Sequence, residues 1–160
     1  MNRSFIAFAL VILASLTLAA QGSKNPVEGV WKATEIVVTG ANASTNSKPL
    51  PGYYIFTKNH YSIMTENGTT PRPSSVGNAS SDAERLAAYS AFAANSGTYE
   101  IKGSTLTTRP LVAKNPNVMA ASAQPASREF RVEGNTLTLV QKSAAGQPAS
   151  ETRTKLVRVE

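Results

Sequence analysis

The sequence predicts an all-β fold, a closed barrel or a sandwich, carrying one amphipathic helix. Short runs rich in β-branched and aromatic residues recur along the chain, and turn pairs such as Lys58-Asn59, Lys102-Gly103 and Gly134-Asn135 separate them at about every tenth residue. The regular strand–helix alternation that a parallel α/β sheet requires is missing, because one stretch alone has helical spacing.

The first residues stand apart from that pattern. MNRSFIAFALVILASLTLAAQGS has Arg3, an uncharged apolar run from Phe5 to Leu18 and the small pair Ala19 and Ala20, the layout of a secretory leader. The run is shorter than the roughly 20 residues of a spanning helix. The expected organisation is a signal peptide over 1–20 and one β domain over 21–160, secreted or periplasmic, with no stable membrane span once the leader is removed. About 140 residues suffice for a single core that buries roughly 68% of the unfolded surface. There is no cysteine, so disulfides, thiolate ligands and a lipidated N-terminal Cys are excluded.

Without Arg3, fifteen Lys and Arg face ten Asp and Glu. The charges are scattered, and no basic cluster interleaved with aromatics marks a nucleic-acid surface. The imbalance reads as solubility and loose attraction to anionic surfaces, with no nucleic-acid partner.

Taken in order, VWKATEIVVT (Val30 to Thr39) is a strand and GANASTNSKPLPG a loop. YYIFT and HYSIMT flank Lys58-Asn59 as a hairpin. SSDAERLAAYSAFAANSG pairs Ser81 with Glu84 as a capping box and places Leu86, Tyr89, Phe92 and Ala93 at helical spacing, which predicts a helix of about 13 residues. TYEIKGSTLTTRPLV and REFRVEGNTLTLVQ are two further hairpins, and TRTKLVRVE closes the chain as a strand. AKNPNVMAASAQPAS has no period and reads as loop with a short edge strand.

A two-residue loop at Lys58-Asn59 sets Phe56 opposite Tyr61 and Tyr54 opposite Ile63. Opposed and alternate residues share a face. One face therefore carries Tyr54, Phe56, Tyr61 and Ile63; the other carries Tyr53, Ile55, His60, Ser62 and Met64. The first is the more apolar and is expected inside, with its tyrosine hydroxyls in need of partners. A one-residue slip would exchange the faces. In the last hairpin Phe130 and Val132 alternate with Arg131 and Glu133 in the same way.

These residues carry a family likeness. GVWKATEI, with Gly29 and Trp31, resembles the Gly-x-Trp opening of lipocalins and the wider calycin barrels. GYYIFTKNHYSIM, GTTPRP, the helix before SGTYEIKGSTLT, the NPN at Asn115 to Asn117 and REFRVEGNTLTLV together resemble the bacterial lipocalin-like domain family, in that order and over nearly the whole chain after the leader. The resemblance implies an eight-stranded antiparallel up-and-down barrel in which Trp31 plugs the narrow end and Arg158 packs across it. It implies little certain biochemistry. TTRPLVAKNP departs from the pattern by lacking the histidines often present there, and Val157 stands where an aromatic is common. A barrel of that size has room for side chains or one small ligand.

Candidate chemistry is sparse. His60 is the one histidine, no His-x-His or Glu-x-x-His spacing exists, and neither a metal nor another cofactor is expected. His60 is a weak candidate for acid–base work, since a hairpin turn usually leaves such a residue on the surface. The serines lack a nucleophile elbow. Arg72, between two prolines, and Arg109, before Pro110, are candidates to bind a carboxylate or phosphate at the barrel mouth. Arg128 and Arg131 lie on opposite faces of one strand, so at most one points inward. Glu35 shares parity with Trp31 and is expected inward, with a partner. The helix is either a lid or a buttress. Asn42, Asn67 and Asn78 begin glycosylation sequons, which matter only in a eukaryotic secretory route.

The expected function is binding of a small hydrophobic or amphipathic molecule against Tyr54, Phe56, Tyr61, Ile63 and Tyr99, with Arg72 and Arg109 at the mouth. The alternatives are a barrel isomerase or cyclase using His60 or a tyrosine hydroxyl, and a filled barrel that acts through its loops.

Overall fold

The computed structural model describes residues 25–40, 42–72, 80–120 and 123–160. The leader and the Asn78 sequon lie outside them. Among the described residues nine strands form: β1 (Gly29–Gly40), β2 (Ser44–Asn46), β3 (Gly52–Phe56), β4 (His60–Glu66), β5 (Phe92–Lys102), β6 (Thr105–Ala113), β7 (Ala126–Glu133), β8 (Thr136–Lys142) and β9 (Ser150–Arg158). An α-helix, α1 (Asp82–Ser90), precedes β5, and a 3₁₀ turn (Pro116–Met119) follows β6. Every paired strand is antiparallel, and β9 returns to pair with β1. That pairing closes an eight-stranded barrel of β1 and β3–β9. The short β2 shares an edge of β1 with β3, opposite Ile36 to Val38, while β3 takes Gly29 to Trp31. Closure leaves β9 paired along both edges, with β1 and with β8.

The β3–β4 hairpin has the register expected from its turn: Phe56 faces Tyr61, Ile55 faces Ser62 and Tyr54 faces Ile63. Phe56, Tyr61 and Ile63 are buried, whereas Tyr53, His60 and Met64 are exposed. The apolar face is the inside. In β7 alternation leaves Arg131 outside and turns Phe130 and Val132 towards the core.

Two bulges alter the simple pattern. Ala33 pairs with Leu156 but Glu35 with Lys155, so Thr34 is an extra residue in β1 and its hydroxyl donates to the Lys155 carbonyl at 3.2 Å. Beyond it the parity reverses. Trp31 and Ala33 are buried, and it is Ile36 rather than Glu35 that faces the interior; Glu35 lies on the outer wall beside Lys155. The expected inward carboxylate is corrected by one inserted residue. In the second bulge Ser96 pairs with Val112 and Gly97 with Pro110, leaving Leu111 extra and exposed. A Cβ on Gly97 would stand 2.0 Å from the Arg109 carbonyl oxygen, so this crossing requires glycine.

The helix is shorter than its periodicity predicts. Its capping box is present, with the Glu84 amide donating to Ser81 Oγ at 3.3 Å and the Ser81 amide to Glu84 Oε2 at 2.7 Å. It ends at Ser90, because Phe92 to Gly97 pair with Glu66 to Tyr61 of β4, and sheet hydrogen bonds override the local preference. Leu86 is 65% exposed and Tyr89 55%, so the helix presents these side chains to solvent rather than plugging the barrel. Among the described residues the segment after β6 forms the 3₁₀ turn and no separate edge strand, and β7 begins at Ala126.

One end of the barrel is tightly closed. Val27, Trp31, Phe56, Leu106, Leu137 and Leu156 are almost wholly buried there. Each such side chain contributes about 1.5–3 kcal/mol by burial. Residues 25–28 fold across this end: Trp31 Nε1 donates to the Val27 carbonyl at 2.8 Å, and Arg158 donates to the carbonyls of Glu28 and, at 3.1 Å, Pro26. The 57–60, 102–105 and 133–136 hairpins turn at the same end, while α1 and the longer connections gather at the other. No helix among the described residues is long and apolar enough to cross a membrane.

Candidate ligand-binding site

Above the closed end the lumen keeps a cavity of about 280 Å3. Its apolar lining is Ile36 from β1, Tyr54 from β3, Ile63 from β4, Ala93 from β5 and Leu139 from β8; Thr65, Asn95, Gln141, Thr152 and Thr154 add neutral polar groups. These are the inward positions of strands whose other positions are wet, so period-two alternation builds the site. Among the described residues one charge lines it, Arg128 of β7.

Arg128 sits two residues before Phe130 on the buried parity of β7. Its Nη1 donates a long hydrogen bond, 3.5 Å, to Thr108 Oγ1, and Thr108 itself donates to the Ala126 carbonyl at 3.2 Å. Arg128 forms no ion pair with a carboxylate among the described residues. Burial pulls its pKa below the ordinary arginine value, opposed by the neighbouring Tyr54 and Tyr61. An arginine so placed still keeps its proton at neutral pH. The Tyr54 and Tyr61 hydroxyls are shifted upwards, in both cases chiefly by burial and against the pull of Arg128, so they are neutral donors. The Tyr61 oxygen is buried without a hydrogen-bond partner among the described residues; Thr108 is near enough to temper its shift but outside good hydrogen-bond geometry.

The structure separates the residues proposed from sequence as a single wall. Tyr54 and Ile63 line the cavity, whereas Tyr61 is buried in the core cluster and is not among the lining residues. Phe56 and Tyr99 lie in the closed-end core, edge to face with ring centroids 5.4 Å apart. The Tyr99 hydroxyl is occupied there, donating to the Thr57 carbonyl at 2.6 Å and accepting from Asn25 Nδ2 at 2.5 Å. These two residues hold the base shut and face no ligand space.

Arg72 is at the open end, 3.6 Å from the Glu66 carboxylate, with its guanidinium 4.7 Å from the Phe92 ring centre. Arg109 is not at the mouth. Leu106 and Thr108 take the inward positions of β6, which leaves Arg109 exposed on the outer wall opposite Thr98. His60 is exposed on the same outer wall, at the closed end, where its amide and carbonyl bond Thr57. It cannot reach the lumen, which removes the main support for a histidine-based isomerase. Trp31 and Arg158 occupy the closed end as the family resemblance implies, the guanidinium 4.0 Å above the ring centre. Among the described residues no group of three or more His, Cys, Asp or Glu is placed to hold a metal ion.

Arg128 is the functional candidate that sequence reasoning underused. The signal was present: Phe130 and Val132 mark the buried parity of β7, and Arg128 shares it.

A family model described as a lipocalin-like domain matches residues 28–159. Comparisons with curated proteins and with solved structures gave no match.

Proposed function

Because the chain belongs to the lipocalin-like domain family, in which a barrel suited to ligand binding is the shared feature, we propose that it binds one small amphipathic molecule whose anionic end meets Arg128. The observation that carries this reading is a lumenal guanidinium with no carboxylate partner among the described residues. Burying a charge without a counter-ion is unfavourable, and a bound anion relieves it with charge-assisted hydrogen bonds. The apolar body of the ligand lies against Tyr54, Ile63, Leu139 and Ile36. A cavity of about 280 Å3 falls near the lower end of the range for ligand pockets, which favours a short or single-ring molecule over a long lipid chain. The leader motif supports action outside the cytoplasm, in a secreted or periplasmic setting.

The test is calorimetric titration with 3-phenylpropionate and its neutral counterpart 3-phenylpropanol, for the wild type and for Arg128→Gln. The carboxylate should bind the wild type at least about tenfold more tightly than the alcohol, and the difference should vanish in the variant. Equal binding of acid and alcohol by the wild type would refute the reading.

A further inference from the structure

We infer that the ligand is a hydroxycarboxylic acid with an apolar body, its hydroxyl one or two carbons from the carboxylate, and that Gln141 and Thr152 select it. The inference rests on the lumen reading above and adds to it a substrate class, an orientation and two specificity residues.

Strand register sorts the inner side chains of β7, β8 and β9 into rows. Nearest the closed end, Val132 pairs with Leu137 and Leu137 with Leu156, and both leucines are wholly buried. In the next row Phe130 pairs with Leu139 and Leu139 with Thr154. In the row above, Gln141 pairs with Thr152; because Glu129 pairs with Val140, Arg128 stands at the adjoining inner position of β7. Residues two apart on a strand share a face, so the rows climb one inner wall from the core towards the open end. The lowest row is apolar, the middle one has a single hydroxyl, and Arg128, Gln141 and Thr152 in the uppermost are all polar. All three line the cavity, with Leu139 and Thr154 below them. Tyr54 of β3 and Ile63 of β4 face the same space from across the barrel.

The protein leaves this polar row open to a ligand. Neither the Gln141 amide nor the Thr152 hydroxyl makes a side-chain hydrogen bond among the described residues, and Arg128 has donors beyond its long bond to Thr108. Groups of this kind bond water in an open pocket and lose it when a ligand fills the space. A ligand with a carboxylate as its sole polar group satisfies Arg128 but leaves the amide and the hydroxyl dehydrated, which is unfavourable. One ligand hydroxyl removes that penalty, since it donates and accepts at once, as do Gln141 and Thr152. Adjacent strands lie about 4.8 Å apart, so a group bonded to Gln141 falls one or two carbons from a carboxylate held on Arg128. The apolar body then points down the wall onto Leu139 and across to Tyr54 and Ile63.

The experiment is calorimetric titration of 3-phenylpropionate and of each enantiomer of 3-phenyllactate, which adds one hydroxyl beside the carboxylate, into the wild type and a Gln141→Met, Thr152→Val double variant. The wild type should bind one enantiomer of the hydroxy acid at least about fivefold more tightly than 3-phenylpropionate, and that ratio should fall to about one in the variant. Equal wild-type affinity for all three acids, with 3-phenylpropionate still preferred to 3-phenylpropanol, would overturn the substrate class and leave the lumen reading standing. A ratio that persists in the double variant would overturn the role of Gln141 and Thr152. A wild type that binds none of the acids would overturn both readings together. The wild-type ratio requires no variant, and Gln141 is exposed, so Gln141→Met alone tests the selectivity if Thr152→Val disturbs packing.

Discussion

The Arg158 guanidinium lies 4.0 Å above the Trp31 ring centre while donating to the carbonyls of Glu28 and Pro26. One side chain from the last strand therefore covers the plug of the first and ties down the segment before it. Arg158→Ala removes a cation–π contact and two charge-assisted hydrogen bonds, and should lower stability by about 2–4 kcal/mol in urea unfolding. Arg158→Lys should recover less than half of that loss, because an ammonium cannot stack flat and reach both carbonyls.

The glycine of the Gly-x-Trp pair exists to make room for that arginine. Gly29 has φ +133°, and a Cβ there would fall 2.3 Å from Arg158 Nη1 and 2.5 Å from the Glu160 carbonyl oxygen. Gly29→Ala should destabilise by about 2 kcal/mol or more through backbone strain and the clash together. Adding Arg158→Ala should restore only part of the loss, since the Glu160 backbone remains in the way. A double-mutant cycle of unfolding free energies measures this directly.

Alkaline pH should unfold the barrel earlier than exposed tyrosines would allow. The Tyr54, Tyr61 and Tyr99 hydroxyls are raised above the ordinary value of 10.0, chiefly by burial, with Glu28 adding to the shift at Tyr99. The folded state then holds these protons where the unfolded chain releases them. Their contribution to stability is intact below pH 10.0 and declines as pH rises from there through the folded values. Arg128, shifted below the ordinary arginine value chiefly by burial, acts in the opposite direction at still higher pH. Urea midpoints between pH 8 and 11 should fall at the upper end, and Tyr61→Phe should reduce the slope.

Arg128 should show a trade between stability and binding. With no ion pair among the described residues, its charge weakens the unliganded barrel, and Arg128→Met should raise stability by about 1–2 kcal/mol while abolishing preference for an anion. A thermal-shift series with and without 3-phenylpropionate reads both effects. A lower melting temperature for the ligand-free variant would show that Arg128 is structural.

Much of this architecture was legible in the sequence because hairpins are local. Turn pairs at Lys58-Asn59 and Gly134-Asn135 set register, register sets parity, and parity puts Tyr54 and Ile63 inside and His60 outside. The same rule applied to β7 places Arg128 with Phe130. Parity says which way a side chain points and nothing about its height in the barrel. Phe56 and Tyr99 accordingly sit in the closed base, although they share an interior with the cavity-lining residues.

Local patterning by itself determined the strands, the capping box at Ser81 and the inner face of each hairpin, since all depend on residues near in sequence. Only the tertiary structure decided the rest. Pairing of β5 with β4 stopped α1 at Ser90, closure of β9 on β1 placed a bulge at Thr34 that turned Glu35 outward and Ile36 inward, and the folded barrel set Arg128 of β7 against Thr108 of β6 at the cavity wall. Those outcomes depend on contacts between residues distant in the chain, where strand pairing and core packing outweigh the propensity of any single segment.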